Sequence, residues 1–262
     1  MALGEGRTRL VGVFAHPDDD VYTIGGTWRL HRDRLDVTLV FCTSGDAGPI
    51  WVEGIATRET LGSVREEEQA ASMDALGVEA VVRFLRHPDY HLPELPFEEL
   101  VGEVVDVLEE VQPHLIVTFG TDGLTGHHDH VRAGEAADEA FARVTARVGD
   151  PSARLLHVAV PRSTIERFDR ELRASGDPSR EPRSLLALQG VDDGSIAVDV
   201  DIGAARDEKL AALEAHRTQI GELERVPEAL RWIYLEREWF TQARPERSGA
   251  PATSILEVVD DA

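Results

Sequence analysis

The sequence predicts an α/β fold: a Rossmann-like, doubly wound, mostly parallel sheet with helices on both faces and a looser C-terminal region. Three observations carry that expectation. Short runs rich in Val, Leu and Phe recur through the first 160 residues, longer helical patterns alternate with them, and the runs are apolar throughout, as strands covered on both faces must be. The strands are expected at 9–14 (RLVGVF), 36–43 (DVTLVFCT), 80–85 (AVVRFL), 114–119 (HLIVTF) and 155–160 (LLHVAV). The helices between them are expected at about 24–34, 57–76, 96–111 and 131–148. Sheets of this kind bind ligands in the crevice beyond the carboxyl ends of their strands. That rule singles out the loops after Phe14, Thr43, Leu85 and Phe119, where almost all the chemically distinctive residues lie.

Beyond residue 160 the pattern loosens. The stretch 175–182 (SGDPSREP) reads as an exposed loop, 195–200 as a further strand and 204–220 as a helix. A last helix is expected over 227–240, with Trp232, Tyr234 and Trp239 as packing residues, and 243–254 reads as a mobile Arg/Pro/Gly/Ser-rich segment. The organisation expected is a metal-binding catalytic core at 1–160, a C-terminal part of the same domain at 161–242 shaping the substrate pocket, and a mobile tail at 243–262. No internal repeat is evident.

Composition narrows the partners. With 262 residues, 42% of them hydrophobic, the chain can bury one substantial core. A formal charge of −22 opposes binding to nucleic acid or to an anionic membrane surface, and suits a neutral small molecule or one that releases a cationic amine. Of the 27 basic residues only Lys209 is a lysine, which reads as a bias of the coding source. No apolar run reaches membrane-spanning length, residues 1–9 lack a signal-peptide apolar region, and the single Cys42 cannot form an intrachain disulfide. Cytoplasm is therefore the expected location.

Two clusters carry the chemistry. AHPDDD, residues 15–20, follows the first strand and sets His16 three residues from Asp19 with Asp18 between them. An imidazole and a carboxylate on one tight turn can reach a common metal, which needs a third protein ligand and an open position. The same aspartates could instead cap the following helix. GHHDHV, residues 126–131, places His127, His128 and His130 around Asp129 after the fourth strand. A solvated His-rich turn is the alternative there, but two such clusters at one sheet edge favour a shared metal site.

AHPDDD followed by GTDGLTGHHDHV resembles the LmbE-like, or PIG-L-type, N-acetylglucosaminyl deacetylase family. The similarity extends through TSGDAG at 43–48, VREEEQAASMDALGV at 64–78 and PDYHL at 88–92, and returns weakly in KLAALEAHRTQ at 209–219 and REWF at 237–240. Members of that family are zinc-dependent amidases acting on N-acetylglucosamine conjugates, among them the deacetylase and the S-conjugate amidase of mycothiol metabolism. The resemblance implies His16, Asp19 and His130 as metal ligands, Asp18 as general base, His127 facing the oxyanion and Asp129 as a support hydrogen-bonded to a histidine. The family usually has Glu where this chain has Asp20, which could change how the first turn is braced. It assigns no role to His128.

These residue types suit the reaction. A bound metal acidifies water and polarises a carbonyl, a free carboxylate such as Asp18 can take the water's proton, and a protonated His127 would stabilise the tetrahedral oxyanion. Zinc is the expected metal, with Fe2+ an alternative for two histidines and a carboxylate. The resemblance links Arg65 and Asp89 to sugar hydroxyls, and His216 could edge the pocket. As surface features, Arg65 would pair with Glu68 or Gln69, Asp89 would organise a turn and His216 would be structural. His87, His91 and Trp51 could also touch substrate. The expected function is removal of an N-acyl, chiefly N-acetyl, group from a sugar-like small molecule. Cleavage of mycothiol-type S-conjugates and a non-catalytic binding module are the alternatives. A dinucleotide-dependent oxidoreductase is excluded, because AHPDDD stands where a G-x-G-x-x-G turn is required. Several members of the family are oligomers, so a homo-oligomer is compatible with the resemblance.

Overall fold

In the computed structural model, which describes residues 6–148, 152–175, 187–245 and 249–260, the five expected strands form one parallel set. They are β1 (Thr8–Phe14), β2 (Leu35–Thr43), β3 (Ala80–His87), β4 (Leu115–Phe119) and β5 (Arg154–Ala159). Two later strands, β6 (Val198–Asp201) and β7 (Arg237–Arg244), extend the same sheet to seven strands in the order β3-β2-β1-β4-β5-β7-β6. β7 runs antiparallel to both β5 and β6. The central strands are covered on both faces: Leu10, Val11, Val13 and Phe14 of β1 and all five residues of β4 are buried. Each such aliphatic or aromatic side chain contributes about 1.5–3 kcal/mol by leaving water.

The helices expected in the first half form at α1 (Asp19–Thr23), α2 (Gly25–His31), α3 (Leu61–Leu76), α4 (Phe97–Val111), α5 (Gly123–Gly126) and α6 (His128–Val148), followed by α7 (Arg162–Ala174). α6 lies very close to β4. A side chain at Gly134 would begin 2.5 Å from the Phe119 carbonyl oxygen, and Ala133, Ala136, Ala137 and Ala140 keep the rest of that face small. This close approach brings His130, one turn earlier on α6, to the carboxyl end of β4.

The C-terminal half departs from expectation. The single helix expected at 227–240 is a 3-10 turn (Glu228–Leu230), a short helix (Trp232–Leu235) and then β7. Pairing of Trp239 and Phe240 with Ala159 and Val158 on one side, and with Asp199 and Val198 on the other, outweighs the local helical spacing. The helix expected at 204–220 breaks at His216 (φ −77°, ψ 63°) into the helix Arg206–Ala215, a 3-10 turn (Arg217–Gln219) and the helix Ile220–Glu224. Within the segment expected to be a mobile tail, β7 continues to Arg244, Ala252 bridges to Val198, and the helix Ile255–Asp260 buries Ile255, Leu256 and Val258. The apolar residues of ILEVV fall on one helical face, and burying that face docks this helix against the core. Of the expected loop at 175–182, residues 176–182 lie outside the described residues. Among the described residues no helix is long and apolar enough to cross a membrane.

Candidate metal and catalytic centre

The turn after β1 is held in an unfavourable backbone shape. Asp18 adopts φ 100°, a left-handed conformation that costs a non-glycine residue about 1–2 kcal/mol. α3 secures it from the side. Arg65 donates from Nη2 to the Pro17 carbonyl (2.6 Å) and to Asp18 Oδ2 (3.2 Å), and from Nη1 to the Gly45 carbonyl (3.1 Å). Gln69 accepts from the Asp18 amide at 3.3 Å and donates to Asp20 Oδ2 at 2.8 Å. Gly45 (φ 67°) must be glycine here, because a Cβ would sit 2.2 Å from Arg65 Nη1. The shorter Asp20, where the resembled family has Glu, is thus braced by Gln69.

Three donors converge beyond this turn. His16 Nδ1 lies 3.2 Å from His130 Nε2, and Asp19 places Oδ1 3.3 Å from His130 Nε2 and Oδ2 3.6 Å from His16 Nδ1. The outer nitrogens are committed elsewhere. His130 Nδ1 donates to the Gly123 carbonyl at 3.0 Å, and His16 Nε2 faces Asp89 Oδ1 at 3.0 Å and Asp129 Oδ2 at 3.6 Å. Those partners leave the inner nitrogens to face one another. Two inner nitrogens and a carboxylate aimed at one another call for positive charge among them, supplied by a ring proton or by a metal that displaces it, so the residues fit a metal. The donor set is that of a catalytic zinc site, and also of ferrous iron. Asp89 and Asp129 on one side of His16, and His127 on the other, complete the ring of metal-capable groups.

Charge in the centre follows the same logic. Burial alone would lower the His16 pKa, but Asp129, Asp19 and Asp89 together raise it well above its usual value. Burial works to raise Asp19, yet His130 and His16 hold it well below the usual carboxylate range. Asp18 is pushed up to about 7, chiefly by burial and partly by Asp19, against the pull of Arg65. A carboxylate balanced near neutrality is matched to proton transfer at that pH, and a cation beside it would draw the value down.

His127 is brought to the site with its ring 4.9 Å from those of His16 and His130. Its protonation differs from expectation. Burial, followed by the charges of His16 and His130, lowers its pKa to about 4, and its Nδ1 accepts the Asp129 amide at 3.2 Å. The ring is therefore a neutral imidazole with its hydrogen on Nε2, able to donate a hydrogen bond without a full charge. Asp129 is fully buried and takes hydrogen bonds from the Tyr90 amide (2.7 Å) and the Leu92 amide (3.2 Å).

The residues expected to bind substrate are placed differently. Asp89 is buried, faces His16 with Oδ1, and accepts the Ala47 amide with Oδ2 at 2.9 Å; its pKa is about 2, because His16 outweighs the upward push of burial. Arg65 is also buried and spends its guanidinium on the Asp18 turn, pairing with neither Glu68 nor Gln69. Both reach the wall of the cavity, but their polar atoms position other residues. His216 does not edge the pocket: it is 1% exposed, and neither ring nitrogen has a hydrogen-bond partner among the described residues. His87 pairs with Glu103, His91 with Glu94, and Trp51 is exposed, lying against Gly221. His128 bonds the Tyr90 carbonyl.

A cavity of about 540 Å³ opens over the centre, and the individual residues of its far wall were not expected to line a pocket. Tyr22, Glu222, Arg225, Tyr234 and Trp239 line it, supplied by α1 and by the broken C-terminal helices and β7. No motif marks them, because they meet only when β7 inserts beside β5. Glu238 of β7 also anchors this wall from beneath, pairing with the fully buried Lys209 at 2.6 Å.

The fold and centre define a Rossmann-like α/β protein with a metal-capable site at the carboxyl edge of its sheet. The chain belongs to the PIG-L (GlcNAc-PI de-N-acetylase) family, whose model matches residues 11–141. It is 34% identical over 245 residues, covering 81% of this chain and 79% of the relative, to a 1D-myo-inositol 2-acetamido-2-deoxy-alpha-D-glucopyranoside deacetylase of Thermobispora bispora. An enzyme of the same name from Streptomyces scabiei is 32% identical over 289 residues, covering 95% and 88%. Among solved structures, N,N'-diacetylchitobiose deacetylase of Pyrococcus horikoshii superposes with a TM-score of 0.63 at 20% identity, covering 90% of this chain and 83% of that one. The 4-carboxy-2-hydroxymuconate hydratase of Pseudomonas putida superposes at 0.60, also at 20% identity, covering 94% and 100%. A hydratase and a deacetylase on one scaffold show that these superpositions speak for the fold alone.

Proposed function

We propose that this chain is a zinc-dependent deacetylase that removes the N-acetyl group from an N-acetylglucosamine unit of a small conjugate. The observation that carries this is the convergence of His16 Nδ1, His130 Nε2 and the Asp19 carboxylate beside Asp18, whose pKa is held near 7. The sugar deacetylase names of the relatives supply the substrate class.

His16, Asp19 and His130 would hold the metal, which when bound supplies acidified water and polarises the acyl carbonyl. Asp18 accepts the proton of the attacking water and returns it to the leaving nitrogen. Arg65 and the left-handed turn keep the Asp18 carboxylate aimed at the cavity rather than at its own helix. His127 donates its Nε2 hydrogen to the oxygen that gains negative charge, while Asp129 fixes the ring through its backbone amide. Asp89 and Asp129 hold His16 through its outer nitrogen, leaving the inner one turned to the metal position. The cavity's mixed polar and aromatic wall suits a polyhydroxylated molecule.

The test is acetate release by zinc-loaded protein from a panel of N-acetylglucosaminides, including the inositol conjugate named for the relatives and diacetylchitobiose. Release expected from the wild type should fall by at least about 1,000-fold in Asp18→Asn with zinc still bound. Equal rates in the two proteins would remove Asp18 as the base, and no release from any member would remove the substrate class.

A further inference from the structure

We infer that Tyr90 is a substrate-binding residue whose ring forms a platform at the pocket mouth for the sugar face of an N-acetylated hexosamine. The inference rests on the proposed function for its substrate class, and on the structure for the residue. Four large apolar or aromatic side chains are exposed among the described residues: Leu30, Trp51, Val81 and Tyr90. Of these, Tyr90 alone lines the cavity over the centre, while remaining 51% exposed.

Its backbone explains its place but not its side chain. The Tyr90 amide donates to Asp89 Oδ1 at 2.9 Å and to Asp129 Oδ2 at 2.7 Å, the two carboxylates that face His16. Its carbonyl accepts from His128 Nε2 at 2.8 Å. These bonds hold the residue at φ 69°, in the left-handed region. Glycine would make the same three bonds without the steric cost. A bulky residue kept at such a position points to work done by its side chain. The ring stands edge-on to His127 at 4.9 Å and to His128 at 5.3 Å, and leaves about half of the residue open to solvent. An aromatic surface open to the cavity and adjoining the oxyanion donor suits the apolar C–H face of a neutral pyranose, whose acetamido group then lies towards His127.

The test is titration calorimetry with methyl N-acetylglucosaminide on zinc-loaded Asp18→Asn protein, which binds without turnover, in parent, Tyr90→Gly and Tyr90→Phe forms. Tyr90→Gly should weaken binding about tenfold, with zinc content kept and the melting temperature equal or higher. Tyr90→Phe should bind within about twofold of the parent, because it keeps the ring. Unchanged binding in Tyr90→Gly overturns the inference, as does a Tyr90→Phe defect equal to that of Tyr90→Gly, which would assign recognition to the hydroxyl. Loss of zinc or of melting temperature in step with binding would make Tyr90 structural. No binding to the parent overturns the inference together with the substrate class, whereas wild-type acetate release combined with Tyr90-independent binding overturns the inference alone.

Discussion

Replacing Lys209 by Met should destabilise the fold by about 3 kcal/mol, near the lower end of the range for orphaning a buried charge. The reasoning starts from complete burial: Lys209 is 0% and Glu238 3% exposed, with Nζ 2.6 Å from Glu238 Oε1 and 3.0 Å from the Tyr22 carbonyl. Burial alone pushes the lysine pKa down, and Glu238 opposes that. Removing the ammonium leaves a carboxylate in the interior. Glu238 keeps two other partners, however, since Oε1 and Oε2 accept the Gly26 and Thr27 amides at 2.8 Å each at the start of α2. Those bonds hold the cost near 3 kcal/mol rather than 5. For a chain of this size that is a drop of about 6–12 °C in melting temperature. Urea unfolding of wild type, Lys209→Met and Lys209→Met/Glu238→Gln measures it. The double variant should recover at least about half the loss, because it removes the uncompensated charge. A loss below about 1 kcal/mol in Lys209→Met, or no recovery in the double variant, would refute the reasoning.

Three further outcomes follow from the same structure. His216 has its pKa lowered to about 3 by burial and by Arg65, against an ordinary value near 6.5. A lowered histidine contributes stability that is present above the unfolded value and lost as pH falls through the window from about 6.5 to 3. Between pH 7.5 and 5.5 the wild type should therefore lose about 1.4 kcal/mol more than His216→Leu in urea unfolding, and equal pH slopes would contradict this. Arg65 lowers the Asp18 pKa, so Arg65→Met should move the acid limb of kcat/KM to higher pH as well as reducing kcat; an unmoved limb would leave Arg65 a purely structural role. Gly134→Val should abolish folding or the site, since its side chain would meet the Phe119 carbonyl; native circular dichroism and normal zinc uptake would show that α6 can move away.

That the residues of the AHPDDD turn and His130 meet was readable from sequence, because the turn's residues are neighbours in the chain and parallel α/β topology delivers strand ends to one edge. His16, Asp18 and Asp19 needed only β1, and His130 needed only β4 and α6. What the sequence hid depends on contacts made at long range. The contacts that Arg65 and Asp89 make to Asp18 and His16 were hidden, because they join residues far apart in the chain. His127 was expected charged, but its neutrality depends on burial and on two neighbouring histidines, neither of which periodicity reveals. The stretch REWF falls at the end of the helix expected over 227–240, but its strand pairing with β5 is set by the finished sheet. Lys209 read as a compositional accident, yet it is the cation buried against Glu238, where its compact ammonium reaches both the carboxylate and a carbonyl.

The most direct test of the central claim is a titration of chelator-stripped protein with zinc, following acetate release from an N-acetylglucosaminide together with bound metal. The structure leads us to expect activity that rises in proportion to zinc and saturates at one ion per chain, with neither uptake nor activity in a His16→Ala/His130→Ala variant. Full activity in the stripped protein, or stoichiometric zinc uptake by that variant, would contradict a metal centre built from His16, Asp19 and His130.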